Sequence, residues 1–366
     1  QDAVSTALNP AGNYSIEDSK DIGLIFFSPI RKYSYTSSRN NAGGDSVKSG
    51  SNFFTMPQLG FKKKINQKID ASLSVYAFSG INTDWPRNNT SFGDPGRMGI
   101  DYSQILAVPS MSYKLNSMHA LGIAPMLGFQ RIRLRGLQNF QSSSIVDPSK
   151  VTNNGYSYAY GVGVRVGWQG KFNECMQGGL TYSTKTHMTK FNKYKGLLAG
   201  GRIDVPSVIS AGLKFNTNKD LILATDYERI QYRNIPALHN PFGNPFNFGD
   251  KNSGAGFGWR NISVYKFGAE YLYNHCNKIK AGISMSRKPY DNTQMDFNII
   301  APAVTQWHFM LGFAHKLHDK SELSFVYMHA FKTKLTGNSR LGGTSNLGTV
   351  QHSMYQHLLG VAYEWK

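Results

Sequence analysis

The chain has 366 residues, with 40 Lys and Arg against 22 Asp and Glu and a formal net charge of +18. Its mean hydropathy is -0.38. The longest apolar stretch, 22–30, includes Ser28 and Pro29 and falls far short of the ~18–20 residues a membrane helix needs, so helical spans are excluded. The basic residues are scattered through turns and loops (Lys62, Lys63, Lys64, Lys68, Lys193, Lys195, Lys251) rather than gathered on one module, which argues against a nucleic-acid partner and for a solvated rim facing anionic lipid.

Residues 1–20 do not alternate and are read as a unit separate from the rest of the chain. From 21 onward apolar and small or polar residues alternate with the period of two that marks a strand. Strands are predicted at roughly 21–35, 52–65, 69–80, 104–115, 119–135, 155–169, 176–190, 205–216, 220–233, 260–273, 278–288, 303–317, 321–335 and 351–366. Short turns at 66–67, 116–118, 216–219, 274–277 and 318–320 alternate with long polar segments at 36–51, 81–103, 136–154, 191–204, 234–259, 289–302 and 336–350. Fourteen strands with this asymmetry make an all-β, 14-stranded antiparallel transmembrane β-barrel over 21–366, with short periplasmic turns and long extracellular loops.

The faces agree. Tyr156, Tyr158, Tyr160, Val162, Val164, Val166 and Trp168 form a lipid-like face, and Ser157, Ala159, Gly161, Gly163, Arg165 and Gly167 the opposite one. The glycines of 161–167 therefore leave space inside a barrel instead of cradling a phosphate, because they lie within a strand and not in a strand-to-helix turn. The closing strand carries Tyr355, His357, Leu359, Val361, Tyr363 and Trp365 on one parity and should pair with the strand near 22–30.

Three stretches resemble the long-chain fatty-acid transporter family of outer membranes, the FadL/TodX type. Leu8-Asn9-Pro10-Ala11-Gly12 is similar to the Asn-Pro-Ala motif of the family's N-terminal hatch. Ser79-Gly80-Ile81-Asn82-Thr83-Asp84-Trp85-Pro86 is similar to the exit from its third strand. Arg202-Ile-Asp-Val-Pro-Ser207, followed by 210–215, 221–227, Gly258-Trp-Arg-Asn-Ile262 and Lys266-Phe-Gly-Ala-Glu-Tyr271, resembles its later strands. The resemblance implies a short N-terminal hatch at 1–20 that plugs the barrel lumen, and passive uptake of a hydrophobic molecule into a lumenal apolar pocket. Exit is then sideways, through the wall at a kink in the third strand.

On that basis Asn9, Pro10 and Ala11 are hatch residues, and Ser79, Gly80, Ile81 and Asn82 mark the wall opening. A Gly inside a strand also signals a bend or bulge on its own terms. The resemblance further implies a basic group for a substrate carboxylate. The matching positions are Arg135, with Arg133 as neighbour, and Arg260. Arg260 shares parity with Ile262 and Val264 and is expected to point inward; Arg133 and Arg135 share parity with Leu127 and Phe129 and would need a bulge to do so. The chain starts eight residues before Asn9, so the hatch looks shortened against the family pattern.

No catalytic or metal-binding constellation emerges: His315 and His318 lie at a strand end, Cys175 and Cys276 in separate turns, and no Ser, His and acid converge. The expectation is a monomeric channel without enzyme activity or cofactor. Its substrate would be a long-chain fatty acid or another hydrophobic small molecule, and its other partners lipopolysaccharide and the barrel-assembly machinery. Aromatic or alkane hydrocarbon uptake, a structural or adhesive surface barrel and a general porin are the alternatives.

Overall fold

The computed structural model describes residues 3–37, 46–87, 90, 92–93, 96–243, 247–317, 321–339 and 348–366. Fourteen barrel strands run among them: β1 Ser19–Ser37, β2 Phe54–Lys64, β3 Ile69–Trp85, β4 Met98–Lys114, β5 His119–Arg135, β6 Ser157–Lys171, β7 Met176–Ser183, β8 Val208–Asn216, β9 Leu221–Ile230, β10 Ile262–Leu272, β11 Asn277–Ser286, β12 Trp307–Lys316, β13 Glu322–Asn338 and β14 Gly348–Trp365. Each pairs antiparallel with its chain neighbours. β14 closes on β1 from Lys20↔Trp365 to Ser37↔Gly348. Closure matters because an open edge would leave unpaired N–H and C=O groups in lipid.

Alternation sets sidedness. On β6, Tyr158, Tyr160, Val162, Val164 and Val166 are exposed, while Ser157, Ala159, Arg165 and Gln169 are buried. The short turns share one device. Asn66 Oδ1 accepts from the backbone N–H groups of Lys68 and Ile69, each at 2.9 Å. Asn116, Asn173, Asn218 and Asn274 repeat the same pair of bonds. A side-chain amide that mimics a backbone turn explains why Asn recurs there. The turn expected at 318–320 lies outside the described residues.

The wall is uneven. β7 to β12 have 8 to 11 residues each, against 15 to 19 for β3–β6, β13, β14 and β1. Over the low side, segments 136–156, 189–206, 231–243, 247–261 and 287–306 fold inward and meet the tall wall in one apolar dome. Phe140, Phe242, Phe248, Phe257 and Phe297 form its centre, with neighbouring ring centroids 4.6 to 6.3 Å apart. At ~1.5–3 kcal/mol per fully buried large apolar side chain, these five rings alone contribute on the order of 10 kcal/mol. Trp85 Nε1 donates to Ile299 O at 3.1 Å, and Thr83 Oγ1 to Ile300 O at 2.7 Å, tying dome to wall. The outer end is therefore a packed lid.

The largest departures from the expected strand bounds are at β3, β4 and β7. β3 does not end near residue 80 but continues to Trp85, and β4 starts at Met98, which shortens the expected 81–103 loop. The cause is a register shift between Ala77 and Ser79. Before it the buried positions are Asp70, Ser72 and Ser74; after it they are Thr83 and Trp85. One extra residue flips the faces, so the alternation breaks where the strand merely changes parity. β7 likewise leaves regular pairing at Ser183, and only His187–Met188 rejoins β6, at Gly161 and Val162.

Candidate functional site

Residues 3–18 form two short 3-10 segments, Val4–Ala7 and Pro10–Ser15, packed against the inner faces of β2 to β6. Asn9 is the pivot. Its Oδ1 accepts from Ala11 N at 3.0 Å, capping the second turn, and its Nδ2 donates to Trp168 O on β6 at 3.1 Å. Pro10 starts that turn, where its missing N–H costs nothing. Thr6 Oγ1 meets Ser72 Oγ at 2.7 Å, and Asn13 Nδ2 donates to Ser110 Oγ at 2.9 Å. The Arg165 guanidinium donates to Ala7 O. Gly122 is required by close approach: a Cβ there would strike Ala11 N and the Pro10 carbonyl. The plug thus sits flush on the wall, bonded to lumenal serines that sequence patterning reads only as polar.

The plug leaves the β7–β11 side uncovered. A cavity of about 620 Å³ lies there, lined by Leu8, Arg165, Asp226, Lys266 and Glu270 among others, and reached by Phe78 from β3. Its charges are largely matched: Lys266 Nζ to Glu228 Oε2 is 2.8 Å and Lys280 Nζ to Glu270 Oε2 is 3.2 Å. Leu8 is 65% exposed, an apolar side chain of the plug facing this space.

Phe78 is the residue at the bulge. The β2–β3 ladder runs from Lys64↔Asp70 only to Gln58↔Tyr76. Beyond it, β3 continues paired to β4 alone, through Ser79↔Gln104, Gly80↔Ser103, Ile81↔Tyr102 and Asn82↔Asp101. On the other bank, Phe54 to Pro57 pair with β1 alone. The gap is bridged further out by Gly50 N donating to Asp84 O at 2.7 Å. The wall between 54–57 and 77–83 thus has no backbone ladder across it, and this unladdered stretch is called the window below. Pro57, which lacks a backbone donor, suits the edge that β2 becomes there. Phe78, Ser79 and Gly80 are exposed at the window; Ile81 is half-buried under the dome, and Asn82 Nδ2 is held by Tyr102 O at 3.1 Å.

Arg31 stands beside this window. It lies on the inward parity of β1 with Tyr33 and Tyr35 and is 4% exposed. Its guanidinium donates to Ser51 O and lies 5.9 Å from the centre of the Phe54 ring, and its buried Nε has no partner. Among the described residues no carboxylate pairs with it.

The three predicted carboxylate-binding residues are elsewhere. Arg133 and Arg135 lie on the outward parity of β5, opposite the buried Ile132 and Leu134. The β4–β5 register is unbroken from Gly99↔Arg135 to Ala107↔Leu127, so the bulge that would turn them inward is not there. Arg260, just before β10, is 57% exposed at the rim and ion-paired to Asp291. Partial burial pushes the Asp291 carboxyl up, but hydrogen bonds from Thr293 and the Arg260 charge outweigh it and hold the group below the usual carboxylate range. Arg31, Pro57 and Phe78 are the residues that sequence reasoning passes over. A basic residue on the inward parity of a strand is the available signal for Arg31; Phe78 has none apart from the parity change itself.

A family model described as outer membrane protein transport protein (OMPP1/FadL/TodX) matches residues 1–364. Among solved structures, the Pseudomonas putida toluene transporter TodX is similar with a TM-score of 0.74 at 15% identity, covering 100% of this chain and 98% of that one. A Pseudomonas aeruginosa FadL homologue aligns with a TM-score of 0.72 at 15% identity over 99% of this chain and 94% of its own. The Ralstonia pickettii toluene transporter TbuX gives 0.65 at 15% identity over 99% and 93%. No curated protein sequence matches significantly.

Proposed function

The chain belongs to the outer-membrane transport family of the FadL and TodX type, and on that footing we propose that it carries long-chain fatty acids, releasing them sideways through the β2–β3 window. The observation that carries the proposal is the pairing of an unladdered stretch of wall with a buried guanidinium at its edge that meets no carboxylate among the described residues. Removing a charge from water without a counter-charge costs several kcal/mol, and such residues within a membrane protein mark a functional path. A carboxylate brought in by the substrate would supply the missing partner, with two parallel N–H···O bonds available to an arginine. The alkyl chain would pass Phe78 and enter the outer leaflet without crossing water, which is where the hydrophobic effect favours it.

A hydrocarbon without a headgroup is the second reading. The phenylalanine cluster of the dome and the toluene transporters among the structural neighbours favour it. Uptake of a radiolabelled fatty acid and of a hydrocarbon of similar size, in cells lacking other such channels, separates the two. An Arg31→Met variant should lose fatty-acid uptake and keep hydrocarbon uptake. Equal uptake of fatty acid by variant and parent would overturn the role of Arg31, and no uptake of either ligand by the parent would overturn the transport reading.

A further inference from the structure

The outward arginines of β5 form a site of their own. Arg131, Arg133 and Arg135 occupy three successive outward positions at the long-loop end of the strand. Tyr156, just before β6, is flanked by two of them: the Arg131 and Arg133 guanidinium carbons lie 4.6 and 4.5 Å from its ring centre. Its hydroxyl donates to Asp101 Oδ2 on β4 at 2.5 Å. Asp101 also takes Arg131 at 3.5 Å and Arg133 at 3.7 Å. One carboxylate thus serves two guanidiniums, Arg135 has no ion pair among the described residues, and the buried Nε atoms of Arg131 and Arg133 are unsatisfied. The cluster keeps a net positive charge on a stacked and braced frame.

Its height decides what it meets. On the same face, Leu121, Ile123 and Leu127 are exposed to lipid, with Phe129 next along the strand. From Leu121 to Phe129, at ~3.3 Å per residue and a tilt near 40°, the strand climbs about 20 Å along the membrane normal, close to the ~25 Å of a barrel's apolar band. Arg131 is the first outward position above that band. Charged groups just above the outer-leaflet acyl chains belong to the phosphorylated sugar of lipopolysaccharide. The Arg131 and Arg133 side chains are 41% and 31% exposed, and planar guanidiniums match phosphate oxygens in charge and geometry.

We propose that Arg131, Arg133 and Arg135, braced by Tyr156 and Asp101, bind a phosphate of the lipid A headgroup and so fix this sector of the barrel in the outer leaflet. The site needs the outer-membrane location but not the transport reading.

Native mass spectrometry of the full chain in detergent, titrated with bisphosphorylated lipid A and with its dephosphorylated form, tests it. The parent should retain the bisphosphorylated lipid and not the dephosphorylated one. Retention should fall at least tenfold in the combined Arg131→Gln, Arg133→Gln, Arg135→Gln variant, and measurably in Arg135→Gln, which breaks no ion pair and so guards against loss of folding. Replacing Arg131 and Arg133 by Lys should restore only part of the binding, because the stack and the fork are lost. Equal retention by parent and triple variant would overturn the site. So would equal binding of the dephosphorylated lipid, or the same loss in a control with Lys32→Gln on β1 and Lys48→Gln in the segment paired beside it.

Discussion

Replacing Asn9 by Ala should loosen the plug without loosening the barrel. The side chain makes two bonds: Oδ1 caps the second hatch turn through Ala11 N at 3.0 Å, and Nδ2 ties the plug to Trp168 O at 3.1 Å. A lost N-cap costs about 1 kcal/mol, and a lost, partly buried hydrogen bond about 1 kcal/mol more. Together, about 2 kcal/mol is a roughly thirty-fold change in the equilibrium between seated and released plug. Asn9→Ser keeps a capping oxygen but lacks the amide donor, so it should lose about half of that free energy. Hydrogen exchange read by mass spectrometry on peptides spanning 3–18 measures the effect directly. Protection there should drop about thirty-fold for Asn9→Ala, with β3 to β6 unchanged, and ion conductance across planar bilayers should rise. Unchanged exchange in the plug would refute the pivot role of Asn9. An equal loss of protection in the strands would show that plug and wall open as one unit.

The same geometry sets three further outcomes. Gly80→Val should fold, since a Cβ there meets Tyr102 O at 3.4 Å and Asn82 Nδ2 at 3.6 Å, ordinary contacts, and Val favours strands by up to ~1 kcal/mol; it should nevertheless reduce fatty-acid uptake by narrowing the window, and full uptake by heat-modifiable, folded protein would count against lateral exit. Gly122→Leu has no such room beneath Ala11 and Pro10, so its hatch peptide should become protease-accessible while the barrel persists; a protected hatch would contradict the flush packing. The Arg260–Asp291 clip should respond to acid: because the Asp291 carboxyl is held below the usual range, the clip contributes above the unfolded value near ~3.9 and is lost as pH falls through the lower folded value. Exchange of the 287–295 backbone should rise only in that acidic window, and Asp291→Asn should abolish the response.

The barrel is legible because lipid on one side and lumen on the other force a period of two on almost every strand, and because the recurring Asn turns punctuate it. The end of β3 is misread for the same reason: the register shift at Phe78 changes which parity faces in, so Ile81, Thr83 and Trp85 no longer continue the pattern of Ser72 and Ser74. The site is harder. Asn9 can be found from its motif, but its partner carbonyl on Trp168 is 159 residues away in the chain. Arg133 and Arg135 reach the lumen only on condition of a bulge between β4 and β5, and parity alone points outward, as the register has it. Arg31 escapes notice because a strand pairing seen from sequence does not reveal that β2 stops short of it. Which strand ends early is set by three-dimensional closure of the dome and window, not by local propensity.

A hydrophobic acid that leaves through the wall between β2 and β3 must touch the residues of that stretch on its way. A long-chain fatty acid carrying a diazirine along its chain, added to cells and irradiated during uptake, maps the route residue by residue. Labelling concentrated on 54–57 and on Phe78, Ser79 and Gly80 is the result expected. Labelling confined to the β7–β11 cavity wall and the short periplasmic turns would mean that the substrate passes down through the lumen, and would contradict lateral exit.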